Sequence, residues 1–233
     1  IKIDTGMTRL GIPYKSGLSF IEKISNLENI EIEGIFTHFA NASEPTSSYT
    51  TKQLNRFNSL LQELEKIKII IPIKHAANSS GTEHFPKSHF DLVRIGLASY
   101  ENVLSLVGYL GHYEFVKKGT PVSYGCTYCL KQDTFVGIIF SGYADGIPQT
   151  LSNRGSVLIK DKKYPIIGQV CMDMLIVNLG NTLPKLNIPT EAIFIGSNMH
   201  SKILLDDVCK NSNKIPYEVM CGIGFRTLKE YIY

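Results

Sequence analysis

The chain has 233 residues, 43% of them hydrophobic and 19% charged, with a formal net charge of +3. These are values of an ordinary globular protein of one large or two modest domains. Lys and Arg are interspersed with Asp and Glu, which argues against a nucleic-acid partner, and no apolar run approaches the roughly 20 residues that span a bilayer.

Residues 1–11, Ile-Lys-Ile-Asp-Thr-Gly-Met-Thr-Arg-Leu-Gly, read as the end of a buried strand running into a turn that carries Lys2, Asp4 and Arg9. A strand pattern in the opening residues suggests the second part of something larger. Leu18, Ile21 and Ile24 predict a short amphipathic helix with Ser16 as its N-cap. Ile30 to Phe36 is a predicted strand that delivers Thr37 and His38 at its C-terminal end. Leu54, Phe57, Leu61, Leu64 and Ile67 recur at helical spacing. A strand over Ile70 to Ile73 leads to His75-Ala-Ala-Asn78-Ser79-Ser80-Gly81, and another over Asp91 to Ile95 carries Arg94 and leads to Gly96 and Leu97. Strands alternating with helices indicate parallel β-α units. Polar residues at the C-terminal ends of such strands are where an α/β barrel places its chemistry. About four units fit before residue 100, half of what a closed barrel needs.

Residues 101–111 read as a junction, and from about 112 onward the texture becomes that of a small all-β domain. Strands are predicted over Phe135 to Phe140, Ser156 to Ile159, Tyr164 to Ile167 and Leu175 to Leu179, with a hairpin turn at Asp161-Lys-Lys163. Lys160 to Lys163 read as solvated. Helices are predicted after Leu204 and after Pro216, where Pro suits the first turn. The expected domains are therefore 1–105, a partial α/β barrel, and 112–233, a β domain. Five cysteines occur. Cys126-Thr-Tyr-Cys129 has CxxC spacing, but no second pair follows, so reduced, buried thiols are expected and no metal site. Neither secretion nor membrane insertion is expected, and the cytoplasm is the expected location.

Several stretches together resemble alanine racemase, a fold-type III enzyme that uses pyridoxal phosphate. They are Lys2-Ile-Asp-Thr-Gly-Met-Thr-Arg9-Leu-Gly, Thr37-His38-Phe-Ala, His75-Ala-Ala-Asn78-Ser79, Val93-Arg94-Ile-Gly96-Leu-Ala-Ser-Tyr100, Val122-Ser-Tyr124-Gly-Cys-Thr-Tyr128, Gly142-Tyr143-Ala-Asp145-Gly146 and Gly168-Gln-Val-Cys171-Met172-Asp173. They occur in the family order across nearly the whole chain. The resemblance implies the C-terminal half of a TIM-type α/β barrel followed by an all-β domain. It also implies a homodimer whose active sites lie at the barrel mouth and are completed by the partner's β domain.

What the resemblance implies residue by residue follows from the chemistry of racemisation, which removes an α-proton on one face and returns one on the other. Each face needs a base within reach. Tyr124 is the implied base of one face. A free phenol titrates near 10, so Tyr124 needs cationic surroundings, which His38 and Arg94 would supply. Arg94 would face the cofactor's ring nitrogen and, having no proton to give, would leave it unprotonated. Ser79 and Asn78, with the amides of Gly96 and Leu97, would hold the phosphate. His38 and Phe225 would complete the cofactor contacts. Lys2 is a carbamylation candidate, whose negative carbamate would orient Arg9. Arg9, Met172 and Asp173 are implied to meet the substrate carboxylate or to filter its approach, together with Tyr143. His75 either supports the cofactor residues or stands on the approach path.

The chain also departs from the family pattern. Phe225 stands where a tyrosine is usual, which forfeits a hydroxyl contact worth about 0.5–1.5 kcal/mol. Gln149 and Gln169 stand near positions often held by arginine, and Ser43 near a common acidic one. The second base of the family is a lysine that also holds the cofactor covalently, in a Lys-Ala-Asn-Ala-Tyr-Gly-like motif that does not occur in these residues. The expectation is a racemase polypeptide with little activity by itself. A degenerate relict, one half of a split enzyme or a non-catalytic pyridoxal phosphate-binding module are the alternatives.

Overall fold

The computed structural model describes residues 1–182 and 186–232. It divides into two compact units, Ile1–Ser99 and Tyr100–Tyr233.

The first unit contains β1 (Ile3–Asp4), β2 (Ile12–Pro13), α1 (Tyr14–Ser25), β3 (Gly34–Phe36), α2 (Ser48–Lys66), β4 (Ile73–His75) and α3 (Ser79–His84). Its ladders are parallel. Lys2 bridges to Phe36, Gly34 to Phe36 pair with Ile73 to His75, and Asn78 bridges to Arg94. Four successive chain segments thus lie side by side, joined by helical crossovers, as in the wall of an α/β barrel. The core between strands and helices is Ile3, Ile21, Ile35, Phe57, Leu60 and Leu64. Gly17 lets α1 approach α2, since a Cβ there would lie 2.8 Å from Leu60 Cδ2.

Several elements differ from their sequence-based prediction. Ser16 is not an N-cap. Pro13 leaves the chain extended (φ −53°, ψ 133°), the helix starts at Tyr14, and Ser16 falls inside the first turn. α2 starts earlier than its apolar repeat because Ser47 Oγ accepts from Thr50 N at 3.1 Å. The fourth strand begins at Ile73, since Pro72 offers no N–H for a ladder, and Ile70 is exposed. β3 is correspondingly short, because its ladder with β4 starts at Gly34, the partner of Ile73. The stretch Asp91 to Ile95 contributes one ladder contact, at Arg94.

The second unit holds β5 (Leu106–Val116), β6 (Pro121–Val122), β7 (Tyr128–Cys129), β8 (Thr134–Ile139), β9 (Ser156–Ile159), β10 (Lys162–Pro165), β11 (Leu175–Gly180), β12 (Thr190–Ser197), β13 (Lys202–Ile203), α4 (Leu205–Ser212) and α5 (Pro216–Gly222). An antiparallel sheet runs β10-β9-β12-β5-β8-β11, with β13 beside β12. Ile166 bridges to Val177, so the two ends of this path meet and the sheet partly closes on itself, which removes open edges. Leu110, Ile139, Leu158 and Val177 fill its interior. The stretch 101–111 is not only a junction, because Leu106 to Gly111 form the first half of β5. Leu106, Gly108 and Leu110 point inward there and alternate with exposed Val107 and Tyr109. Lys162 and Lys163 are strand residues of β10, the turn lying at 160–161. Cys126, Cys129 and Cys221 are exposed rather than buried, and all five cysteines are free. No helix among the described residues is long and apolar enough to cross a membrane.

Candidate active site

At the C-terminal ends of the parallel segments, the first unit gathers His38, His75, Arg94, Asn78 and Ser79. Arg94 is half-buried and has no carboxylate partner among the described residues. Its Nη2 donates to the carbonyls of Thr37 (2.9 Å) and Ala76 (3.1 Å) and lies 3.2 Å from His38 Nδ1, while Nη1 lies 2.6 Å from His75 Nδ1. Asp91, three residues before Arg94, pairs with Lys74. A guanidinium has only donors, so His75 accepts through Nδ1 and carries its proton on Nε2; the two protons of Nη2 are shared among the carbonyls of Thr37 and Ala76 and His38 Nδ1, which puts the His38 proton on Nε2 as well. Burial holds His38 below the usual imidazole range, and the charges of Arg94, Arg9 and Lys2 act the same way. Burial and then Arg94 lower His75 likewise. Both rings are therefore neutral near pH 7. Burial and the neighbouring cations thus disfavour the charged form of His38, the form that would help to ionise a phenol. His75 stacks on Phe36 with centroids 4.8 Å apart, which fixes its plane behind Arg94.

Asn78 Oδ1 accepts from Gly81 N at 2.9 Å and so caps α3, holding Ser79 at the helix start. Ser79 Oγ receives the amides of Gly96 (2.9 Å) and Ala98 (3.4 Å). These two amides are directed at the Ser79 hydroxyl itself, and Leu97 opens the short 3-10 turn that lies between them and runs to Tyr100. Lys2 Nζ lies 5.9 Å from the centroid of the Phe36 ring, while Arg9 is exposed on the turn after β1. Ser43 is exposed.

In the second unit, an open cavity of about 490 Å3 is lined by Tyr124, Tyr143, Gln149, Gln169, Val170, Cys171, Met172, Asp173 and Met174. Tyr124 is 75% exposed. It follows Ser123, a non-glycine residue at φ 63°, which is held there by its Oγ donating to Gln169 O at 2.7 Å. Backbone strain of this kind persists where the surroundings over-determine it. Cys171 N donates to Met174 O at 2.9 Å, closing a turn with Met172 and Asp173 at its tip. Tyr143 N and Ala144 N donate to the carbonyls of Cys171 and Met172, tying the two rims together. Gly142 makes this possible, since a Cβ there would lie 2.2 Å from Cys171 O. Phe225 is fully exposed, with Lys229 Nζ 5.8 Å from its ring centroid, and does not line this cavity. Its neighbour Arg226 was not singled out from the sequence. It pairs with Asp145 (3.0 Å) and Asp173 (2.5 Å), residues far away along the chain, so no local signal pointed to it. Among the described residues no cluster of His, Cys, Asp and Glu could hold a metal ion.

Residues 1–102 match the family described as "Alanine racemase, N-terminal domain" and residues 103–231 match "Alanine racemase, C-terminal domain". The chain belongs to the alanine racemase family. An alanine racemase of Halothermothrix orenii is 37% identical over 99% of this chain and 64% of its own length. One of Desulforamulus reducens is 36% identical over all of this chain and 66% of its own length. The chain thus spans a little under two thirds of these curated relatives. Among solved structures, the alanine racemase from D-cycloserine-producing Streptomyces lavendulae matches with a TM-score of 0.89 at 30% identity, over 97% of this chain and 64% of that one. The alanine racemase from Bartonella henselae with covalently bound pyridoxal phosphate matches with a TM-score of 0.86 at 30% identity, over all of this chain and 66% of that one. The fold is that of this family, with the first unit belonging to a TIM-type α/β barrel and the second forming the β domain.

Proposed function

We propose that the chain serves a pyridoxal phosphate-dependent alanine racemase, interconverting L- and D-alanine in the cytoplasm for peptidoglycan precursors. The observation that carries this reading is Arg94, a guanidinium fixed by two carbonyls and two neutral histidines with no carboxylate paired to it among the described residues. The donor set fits the cofactor. Arg94 suits an electron-rich ring nitrogen, and the Ser79 hydroxyl with the backbone amides of Gly96 and Leu97 supplies donors of the kind a phosphate takes.

Pyridoxal phosphate supplies an electron sink for an amino acid's α-carbon. The chain's own residues would bind, orient and exchange protons. Arg94 keeps its protons, so the ring nitrogen it faces stays unprotonated. Ser79, Gly96 and Asn78 hold the phosphate end. Tyr124 Oη gives and takes the α-proton on one face, and the tip amide of Met172, with Arg9, receives the substrate carboxylate. Tyr143, Gln149 and Gln169 line the approach, and Asp173 is held in place by Arg226. The reading includes a homodimer in which the β domain of one protomer completes the site of its partner. It also includes that residues 1–233 alone do not turn over, since the lysine motif of the family does not occur in them.

A titration of the purified chain with pyridoxal phosphate, followed by absorbance and by phosphorus resonance, tests this assignment. Saturable binding is expected, weakened about tenfold or more in Ser79→Ala, the size of a hydrogen bond to a charged group. Absence of saturable binding, or an unchanged affinity in Ser79→Ala, would overturn it.

A further inference from the structure

Helix α2 grips the strand ends with a polar face. Tyr49, Gln53 and Arg56 recur at helical spacing on one side of it. Tyr49 Oη donates to Gly6 O and Arg56 Nη1 to Thr5 O, each at 2.7 Å. Between them Gln53 has no exposed surface. Its Nε2 donates to His38 O (3.0 Å) and to Thr5 Oγ1 (3.2 Å), and its Oε1 accepts from Ala40 N (2.9 Å).

The direction of every proton in this group is fixed. Thr37 Oγ1 gives its single proton to Ile3 O at 2.9 Å. The 2.7 Å contact between the hydroxyls of Thr5 and Thr37 must therefore be a donation from Thr5. Thr5, having donated, can only accept from Gln53. The relay runs Gln53 N–H to Thr5 O–H to Thr37 O–H to the carbonyl of Ile3. A buried chain of this kind has no alternative arrangement, and it spans three elements, β1, β3 and α2.

We propose that Gln53 is the positioning residue of His38. It holds the backbone just after the imidazole, at His38 O and Ala40 N, and through Thr5 and Thr37 it locks the residue before it, whose carbonyl receives Arg94 Nη2. The ring is thereby aimed with Nδ1 toward Arg94 and its Nε2–H away from it. This inference rests on the reading that His38 and Arg94 belong to the cofactor site, and it adds a residue remote from the cofactor contacts that sets their geometry.

The test needs no turnover. In the chain as it stands, the imidazole of each histidine is followed by nitrogen and carbon resonances across pH 5 to 8, with His112 and His200, which lie in the second unit, as internal references. Gln53→Met keeps the length of the side chain and removes the amide. The His38 nitrogens are expected to move toward the average of exchanging tautomers, and its midpoint to rise by about half a unit or more as the ring leaves its buried place beside Arg94. His75, held by its own strand and by Phe36, should not move. If Gln53→Met does not fold, Thr5→Val, which keeps the shape and breaks the relay, should shift His38 in the same direction, while Thr5→Ser restores it. A folded Gln53→Met with parental His38 resonances overturns the proposal, as does a Thr5→Val that behaves as Thr5→Ser. Absence of saturable pyridoxal phosphate binding by the unaltered chain, with His38 responding as stated in the variants, would instead sink the cofactor reading and leave Gln53 in its role.

Discussion

Arg94 Nη1 lies 2.6 Å from His75 Nδ1, and the two side chains hold each other in place without any charge of opposite sign. The guanidinium stacks no carboxylate against itself and is instead solvated by carbonyls and imidazole lone pairs, with its face 5.4 Å from the Phe36 ring centroid. A planar fork suits that arrangement, because its donors diverge at fixed angles.

Arg94→Lys should therefore be far from conservative. An ammonium on a flexible stem cannot bridge His75, Thr37 O and Ala76 O together. The loss is expected at about 1–3 kcal/mol, from buried acceptors left unpaired. Urea unfolding of the two proteins measures it; coincident midpoints would show that the fork is dispensable.

Acidification should destabilise the fold through the same histidines. Their midpoints are lowered in the folded state, by burial first and by Arg94 second. Below the ordinary imidazole value of about 6.5 the unfolded chain takes up protons that the folded chain refuses, so stability rises with pH in that range. The melting temperature should fall from pH 8 to pH 5, and less so in a His75→Gln variant. A flat profile, or one that rises on acidification, contradicts the neutral rings.

Asp4 acts in the same direction in a more acid window. Burial works to raise its carboxyl, yet the amides of Gly6, Thr8 and Met7 and the charge of Lys2 outweigh that, and the net direction is down. Its contribution is present above the ordinary carboxylate value of about 3.9 and is lost as pH falls through the lowered folded value. Asp4→Ala should cost about 1 kcal/mol at neutral pH and nothing once the carboxyl is protonated. Guanidinium unfolding of both proteins at neutral and strongly acid pH makes that comparison, and an equal cost at both would rule out the ionised turn.

Gly142→Ala probes the β-domain cavity. The added methyl would stand 2.4 Å from Met172 O and 2.2 Å from Cys171 O, and backbone carbonyls cannot swing aside as a side chain can. The turn bearing Met172 and Asp173 must shift away from Tyr143. About 1–3 kcal/mol of stability should go with it, and the Met172 methyl resonance should move. A variant of parental stability with an unmoved Met172 signal would mean that the rims are not packed as described.

Much of this architecture could be read from the residues alone. The helix over 48–66 announced itself through Leu54, Phe57 and Leu64, whose spacing has one physical solution. The strands at 156–159 and 175–180 followed from alternation between turn residues. β5 and β12 escaped notice because Gly108 and Gly111 interrupt the first and the pairing that unites them joins residues some eighty apart. Ser16 misled because a good capping residue was read without the proline before it. The motifs around Arg94, Ser79 and Tyr124 were legible as a resemblance. What those residues touch was not: the neutrality of His38, the place of His75 behind Arg94, the Arg226 pairs and the burial of Gln53 depend on contacts across chain distance that carry no local pattern.

The central claim is that Tyr124 moves a proton at the α-carbon of alanine. Its most direct measurement is D-alanine formed from L-alanine, read by a chiral assay with pyridoxal phosphate present. The assay compares residues 1–233 alone with the same residues joined to the lysine-bearing segment of a curated relative. The account predicts no turnover by the first and turnover by the second, abolished by Tyr124→Phe. D-alanine made by residues 1–233 alone, or turnover that survives the loss of the phenol, would contradict it.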